Sequence, residues 1–206
     1  MIIDPAGLNP REAHRLLISL IIPRPIAWVT SISPDGIVNA APYSFFSGVR
    51  SLPPVVSVSA GYGINGEKDT PRNISATGEF VINLVSSEQA EEMNRTATEY
   101  PYGVSETDEL GIELVPSETI SVPRIAASPA ALECVLEQII PVGDPPASLI
   151  LGEVKAYRLR EGLEWDRVEG VAPETLDVIG RLNLDRYMHI TDTFSMKRIR
   201  YEAPGE

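Results

Sequence analysis

Apolar positions recur at helical spacing near the start of the chain and at strand spacing along most of the rest. Ala13, Leu16, Leu17 and Leu20 share one helical face, Asn9 can cap its first turn, and Pro10 suits the first helical position. Pro23 and Pro25 then flank Arg24 and enforce extended backbone. From Ile26 the pattern becomes β: IAWVTSI, a Ser33-Pro34-Asp35-Gly36 turn, then IVNAA, which together signal a hairpin. SFFSGV from Ser44, VVSVSA from Val55 and EFVINLV from Glu79 continue the series. ALECVLEQIIPV from Ala131 and SLILGEVKAYRLR from Ser148 predict two long antiparallel strands joined by residues 143–147.

Two helical segments interrupt these strands. Thr70 and Pro71 open one that Gly78 closes, and Ser86 with Gln89 forms a capping box before a segment whose Ala90, Met93 and Ala97 share a face. Short strands with helices inserted, not alternating, predict a mainly β, antiparallel barrel ending near Arg160.

Composition narrows the partners. The chain has 206 residues, enough for one domain with a tail, and 43% of them are hydrophobic, which supplies a core. Its net charge of −12 and lack of a basic stripe argue against nucleic acid. The N-terminus lacks a secretory pattern and no run reaches the roughly 20 apolar residues of a membrane helix, so the expectation is a cytoplasmic protein with no membrane contact. Residues 86–118 carry nine acidic side chains, Glu106 among them, against Arg95 alone, which predicts a solvated helical excursion.

Several motifs mislead. Gly61-Tyr62-Gly63-Ile64-Asn65-Gly66 has dinucleotide-loop spacing, but Glu67 to Pro71 separate it from the next helix and no β/α alternation surrounds it. Glu67 also stands where a P-loop requires lysine. Cys134 alternates with Leu132 and Leu136, the pattern of a buried inert thiol, and a single cysteine makes no disulfide. His14 and His189 have no metal-ligand spacing, no metal site is expected, and no nucleophile elbow is present. The basic tail residues Lys197, Arg198 and Arg200 fit solvent or pairing with the chain's excess acid.

Two stretches carry more. Lys68-Asp69-Thr70-Pro71 puts an ammonium, a hydroxyl and free backbone N–H groups at a helix start, a ready anion site, although plain capping by Asp69 or Thr70 fits the same residues. Asn39-Ala40-Ala41-Pro42-Tyr43-Ser44 combines small residues that admit a flat ligand with polar and aromatic groups, or makes an edge strand with core aromatics.

Together, RPIAWVTSISPDGIVNAAPYSFFSGV (24–49), PPVVSVSAG (53–61), KDTPRNISATGEFVINLVS (68–86) and SPAALECVLEQI (128–139) resemble the flavin reductase-like, FMN-binding split-barrel family that includes flavoredoxin. The resemblance spans about 20–160. It implies a six-stranded Greek-key split barrel over 24–160, preceded by a helical lead-in at 1–23 and followed by an extension at 161–206 that packs on the barrel or a dimer partner. It implies a homodimer with FMN near the subunit interface. Thr30, Ser31, Asn39, Ala41, Pro42, Tyr43 and Ser44 would line the flavin, Ser57 and Ser59 would lie beneath it, and Lys68 and Thr70 would hold its phosphate. The family's tail motif departs here to Gly180-Arg181-Leu182-Asn183-Leu184, leaving Arg181, Tyr187 and His189 as further candidates.

The activity so implied is an oxidoreductase passing hydride from NADH or NADPH to FMN. The competing expectation is an FMN-binding electron carrier reduced by a redox partner protein. No catalytic acid or base is identifiable, as expected where the cofactor carries the chemistry. The −12 charge opposes a phosphate at long range and predicts weak or salt-sensitive binding.

Overall fold

The computed structural model describes residues 1–63, 66–199 and 201. Ile64 and Asn65 of the glycine-rich stretch, and Arg200 of the basic tail, lie outside the described residues. The first helix, α1, runs Pro10–Leu20 with Asn9 as its cap: the Asn9 side chain accepts from the Arg11 and Glu12 N–H groups, and the Asn9 N–H donates back to Glu12.

Then come β1 (Ala27–Ile32), β2 (Val38–Tyr43), β3 (Phe46–Ser51), β4 (Pro54–Ala60), α2 (Asp69–Thr77) and β5 (Glu79–Asn83). The helical excursion holds α3 (Ala90–Arg95) and α4 (Glu106–Leu110), and a short pair, β6 (Leu114–Val115) and β7 (Arg124–Ile125), follows. The long strands β8 (Ala130–Val142) and β9 (Ala147–Leu159) precede α5 (Pro173–Leu176), β10 (Ile179–Arg181) and β11 (Tyr187–His189).

Seven strands form one antiparallel sheet in the order β2-β1-β5-β8-β9-β4-β3, one strand more than the resemblance implied. The additional edge is β3, a hairpin partner of β4. Register irregularities in β8 at Glu133/Cys134 and Leu136/Gln138 bend the longest ladder, as bulges do, and help curl the sheet. One face of the curled sheet is a shared interior. Ala27 and Val29 from β1, Tyr43 from β2, Val56 and Val58 from β4, Phe80 and Ile82 from β5, Cys134 from β8 and Ile150 from β9 form a single buried cluster. The sheet is therefore a Greek-key split barrel with side chains filling its centre.

Strand β1 is buried on both faces, which explains the continuous apolar run from Ile26 to Val29 at its start. Its outward residue Trp28, with Ile26 just before the strand, packs under the helical excursion against Val85, Met93, Ile112 and Ile125. The Trp28 indole N–H donates to Thr96 Oγ1 at 2.9 Å, so the buried ring keeps a polar partner. Arg24, held extended by its two prolines, is buried as well. Its guanidinium donates to the carbonyls of Ile18, Ile21 and Leu182 and to Ser44 Oγ, joining the end of α1 to the β10–β11 hairpin.

The glycine-rich stretch does not open a helix. Gly63 and Gly66 exchange backbone hydrogen bonds of 2.8 and 3.2 Å, and α2 begins only at Asp69.

Gly152 on β9 is required by the interior. A Cβ there would lie 2.3 Å from Phe80 Cζ, and Phe80 is fully buried. Gly152→Ala forces the ring or the strand to move and is expected to cost about 1–3 kcal/mol. Urea unfolding would measure this, and an unchanged midpoint would contradict it.

Candidate functional site

A cavity of about 430 Å³ opens between β2, the start of α2 and the connection from α3 to α4. Of the residues the sequence nominated, Asn39, Ala41, Pro42, Tyr43, Lys68 and Thr70 line it. Strand β2 supplies the first four, its small residues keeping the wall low. Helix α2 supplies the other two at its N-terminal end.

Helix α2 starts earlier than Thr70-Pro71 suggested. Its N-cap is Lys68, which makes no side-chain capping bond, and Pro71 sits within the first turn, where its missing N–H costs nothing. Neither residue expected to cap the helix does so. The Thr70 hydroxyl donates to Asn39 Oδ1 at 2.7 Å, and Asp69 pairs with Arg72 at 3.5 Å. The first-turn N–H groups have no intrahelical acceptor and carry the positive end of the dipole, and they belong to residues that line the cavity. Lys68 Nζ stands 5.9 Å from the centre of the Tyr43 ring. The Tyr43 hydroxyl is buried in the barrel interior beside the Thr70 hydroxyl, and it makes no hydrogen bond of good geometry among the described residues. Burial holds its pKa above the usual tyrosine range, so it stays a neutral donor.

The floor contains a carboxylate that sequence reasoning placed in solvent. Glu106 is only 4% exposed. The Asn39 side-chain amide donates to its two oxygens at 2.9 and 3.0 Å, and the Ala40 N–H donates at 3.0 Å. Burial holds the Glu106 carboxyl above the ordinary glutamate range; the Ala40 N–H and the Asn39 amide pull it down, and the Asp69 charge adds to the rise. Its acidic neighbours in sequence gave no sign of this, because the partner that satisfies it lies 67 positions away.

The mouth is aromatic and charged. Tyr100, Tyr102 and Glu99 come from the α3–α4 connection, and the Arg72 guanidinium lies 4.5 Å over the Tyr102 ring.

The remaining candidates sit elsewhere. Thr30 and Ser31 are fully buried, the first donating to the Pro123 carbonyl at 2.7 Å and the second to Asn39 Oδ1 at 3.4 Å. Ser44 accepts from Arg24. Ser57 and Ser59 alternate with the interior residues Val56, Val58 and Ala60, so they face outward from β4 and do not line this cavity. Arg181 bonds Tyr187 and the Leu184 carbonyl, Tyr187 reaches Asn94, and His189 Nδ1 lies 2.9 Å from Ser87 Oγ, all within the C-terminal hairpin's seat.

Cys134 is buried in the barrel interior, and burial pushes its thiol up, away from the reactive thiolate. Among the described residues no group of three or more His, Cys, Asp or Glu could hold a metal ion, and no helix is long and apolar enough to cross a membrane.

Comparison with known proteins agrees with the barrel. The model of the flavin reductase-like domain matches residues 19–169, and the chain belongs to that family. The structure of nitrilotriacetate monooxygenase component B from Bacillus cereus superposes with a TM-score of 0.90 at 34% identity, covering 95% of this chain and 98% of that one. The 2-nitrobenzoate 2-nitroreductase of Pseudomonas fluorescens superposes at 0.84 with 32% identity over 100% of both chains. A split-barrel-domain protein of Shewanella frigidimarina, at 17% identity and a TM-score of 0.79 over 96% of each chain, shares the fold.

Because the folded pKa of Glu106 lies above the unfolded one, the native state holds an extra proton between the two values and loses stability as pH rises through that window. Glu106→Gln removes this loss. Between about pH 4 and about pH 8, urea unfolding free energy is expected to change less unfavourably in the variant than in the parent protein. Matching profiles would contradict the assignment.

Proposed function

We propose that the protein is an NAD(P)H-dependent FMN oxidoreductase whose cavity between β2 and α2 receives the flavin, with the phosphate at the α2 N-terminus. The observation that carries this is the pair of unspent donors in one place: the Lys68 ammonium and the first-turn N–H groups, which have no partner among the described residues. A phosphate accepts from both. Family membership and the similar oxidoreductase structures support the flavin as the group so held.

The residues present fit FMN. Ala41 and Pro42 leave a low wall on β2 for a flat ring, and Tyr100 and Tyr102 add aromatic surface at the mouth. When bound, FMN supplies the capacity to accept hydride from a nicotinamide and pass electrons on. The protein's part is to bind, orient and exclude water. Its cavity lining provides hydrogen-bond donors toward negative charge and needs no proton-transferring residue in contact with the hydride. The Thr70 hydroxyl hydrogen is engaged by Asn39, so at this residue a phosphate would meet the backbone N–H.

The same proposal includes a homodimer. Leu17, Leu20 and Ile21 around the end of α1, and Val49 and Leu52 around β3, are exposed apolar side chains that a second copy would cover.

Lys68→Ala is expected to weaken FMN binding by about ten- to a hundredfold, the value of one hydrogen bond to a charged group, without lowering the unfolding temperature. Flavin fluorescence quenching measures the affinity. An unchanged Kd would remove Lys68 from the phosphate role. Steady oxidation of NADH or NADPH by the FMN-loaded protein is the expected activity, and a bound flavin that neither nicotinamide reduces would favour an electron carrier.

A further inference from the structure

The buried chain that joins Glu106, Asn39, Thr70, Ser31 and Asn73 has only one consistent arrangement of hydrogens while Glu106 is ionised. A carboxylate accepts and cannot donate. Asn39 must therefore aim its NH₂ at Glu106, where both contacts lie between 2.9 and 3.0 Å. Its Oδ1 then faces Thr70 Oγ1 at 2.7 Å, and Thr70 must donate its single hydroxyl hydrogen inward. Thr70 is only 1% exposed yet borders the cavity, so what it turns toward the cavity and the neighbouring Tyr43 hydroxyl is oxygen.

Protonation reverses the order. A carboxylic acid has one hydrogen to give, and the acceptor within reach is Asn39 Oδ1 after a half-turn of the amide. The Asn39 NH₂ then donates to Thr70 and to Ser31, and the Thr70 hydrogen is released toward the side that holds the cavity and the Tyr43 hydroxyl. The slack is at the far end. Asn73, 2% exposed, donates to Ser31 Oγ at 3.3 Å, while its Oδ1 has no partner among the described residues. When Asn39 turns, Asn73 turns with it, takes the Ser31 hydrogen on Oδ1 and leaves its NH₂ unpartnered instead. Each arrangement therefore leaves one polar end of Asn73 unsatisfied, and the charge on Glu106 decides between them.

We propose that Glu106 is the positioning residue that sets the Asn39 amide and, through it, whether the cavity meets the oxygen or the hydrogen of Thr70. An anion beside Thr70 then binds better when Glu106 is protonated. This rests on the flavin-phosphate reading only for the identity of the anion. The charged and titratable groups around Glu106 are Tyr43 from β2, Lys68, Asp69 and Arg72 from α2 and its cap, and Glu67 and Glu99 from the loops sharing the cavity. Burial and the Asp69 charge raise the Glu106 pKa, which brings its titration toward neutral pH.

The test is an NMR titration of the full-length protein without ligand, followed by FMN binding. The Asn39 side-chain NH₂ resonances and the Glu106 carboxyl carbon are expected to titrate together, with a midpoint above that of an ordinary glutamate, and the Asn39 shift should vanish in Glu106→Gln. An Asn39 amide that stays still while Glu106 titrates overturns the proposal without requiring any variant to fold. FMN affinity is then compared at about pH 5 and about pH 8 in the parent protein and in Thr70→Ala, which share the titration of the FMN phosphate itself. The acid-side gain should exceed that of the variant by about tenfold, the value of one hydrogen bond to a charged group. Equal gains overturn the Thr70 step. Co-titration of Asn39 and Glu106 in a protein that binds no FMN supports the positioning role and sinks the flavin reading alone.

Discussion

A carboxylate at 4% exposure must find donors or take up a proton, and Glu106 finds donors on β2. Leaving such a group unpaired in the interior costs several kcal/mol, so the contact is enforced. It holds α4 to Asn39 and Ala40, and Asn39 in turn takes the Thr70 hydroxyl at the start of α2. Three elements from distant parts of the chain are thereby fixed around one cavity. The donors left free there among the described residues, at Lys68 and the α2 first turn, are free because the neighbouring polar groups are spent on one another.

This arrangement separates structural polarity from binding polarity. Thr30 and Asn83 are fully buried and serve the barrel, with Asn83 accepting the Ile125 N–H and donating to the Trp28 carbonyl. Lys68 and Arg72 stand at the cavity with hydrophobic or aromatic surface beside them, Tyr43 and Tyr102 respectively. Local cations in a partly enclosed site act at short range, where screening is weak, while the overall charge of −12 acts at long range, where salt suppresses it. The proposed phosphate seat relies on these near cations, since Glu67, Asp69, Glu99 and Glu106 line the same cavity.

The barrel strands were legible because each is an apolar run closed by Gly, Pro or Asp turns, and α1 because Asn9, Pro10 and Glu12 mark its start. The pairs β6–β7 and β10–β11 were not, since strands of two or three residues carry no periodicity and owe their existence to distant partners such as Arg24 and Val85. Pro71 misdirected the start of α2 because proline is tolerated anywhere in a first turn, where no N–H is used. In the site, the β2 residues and Lys68 and Thr70 that line the cavity could be named from the sequence motifs taken with the family resemblance. Glu106 could not. Within 86–118 it is one acidic residue among nine, and only the fold brings Asn39 to it.

The central claim is that the α2 end of the cavity holds the phosphate of a flavin. Parallel titration with FMN and with riboflavin, which lacks the phosphate, tests it most directly. The account predicts that FMN binds more tightly and that the advantage disappears in Lys68→Ala. Equal affinity for the two flavins, or an advantage that survives the loss of Lys68, would contradict it.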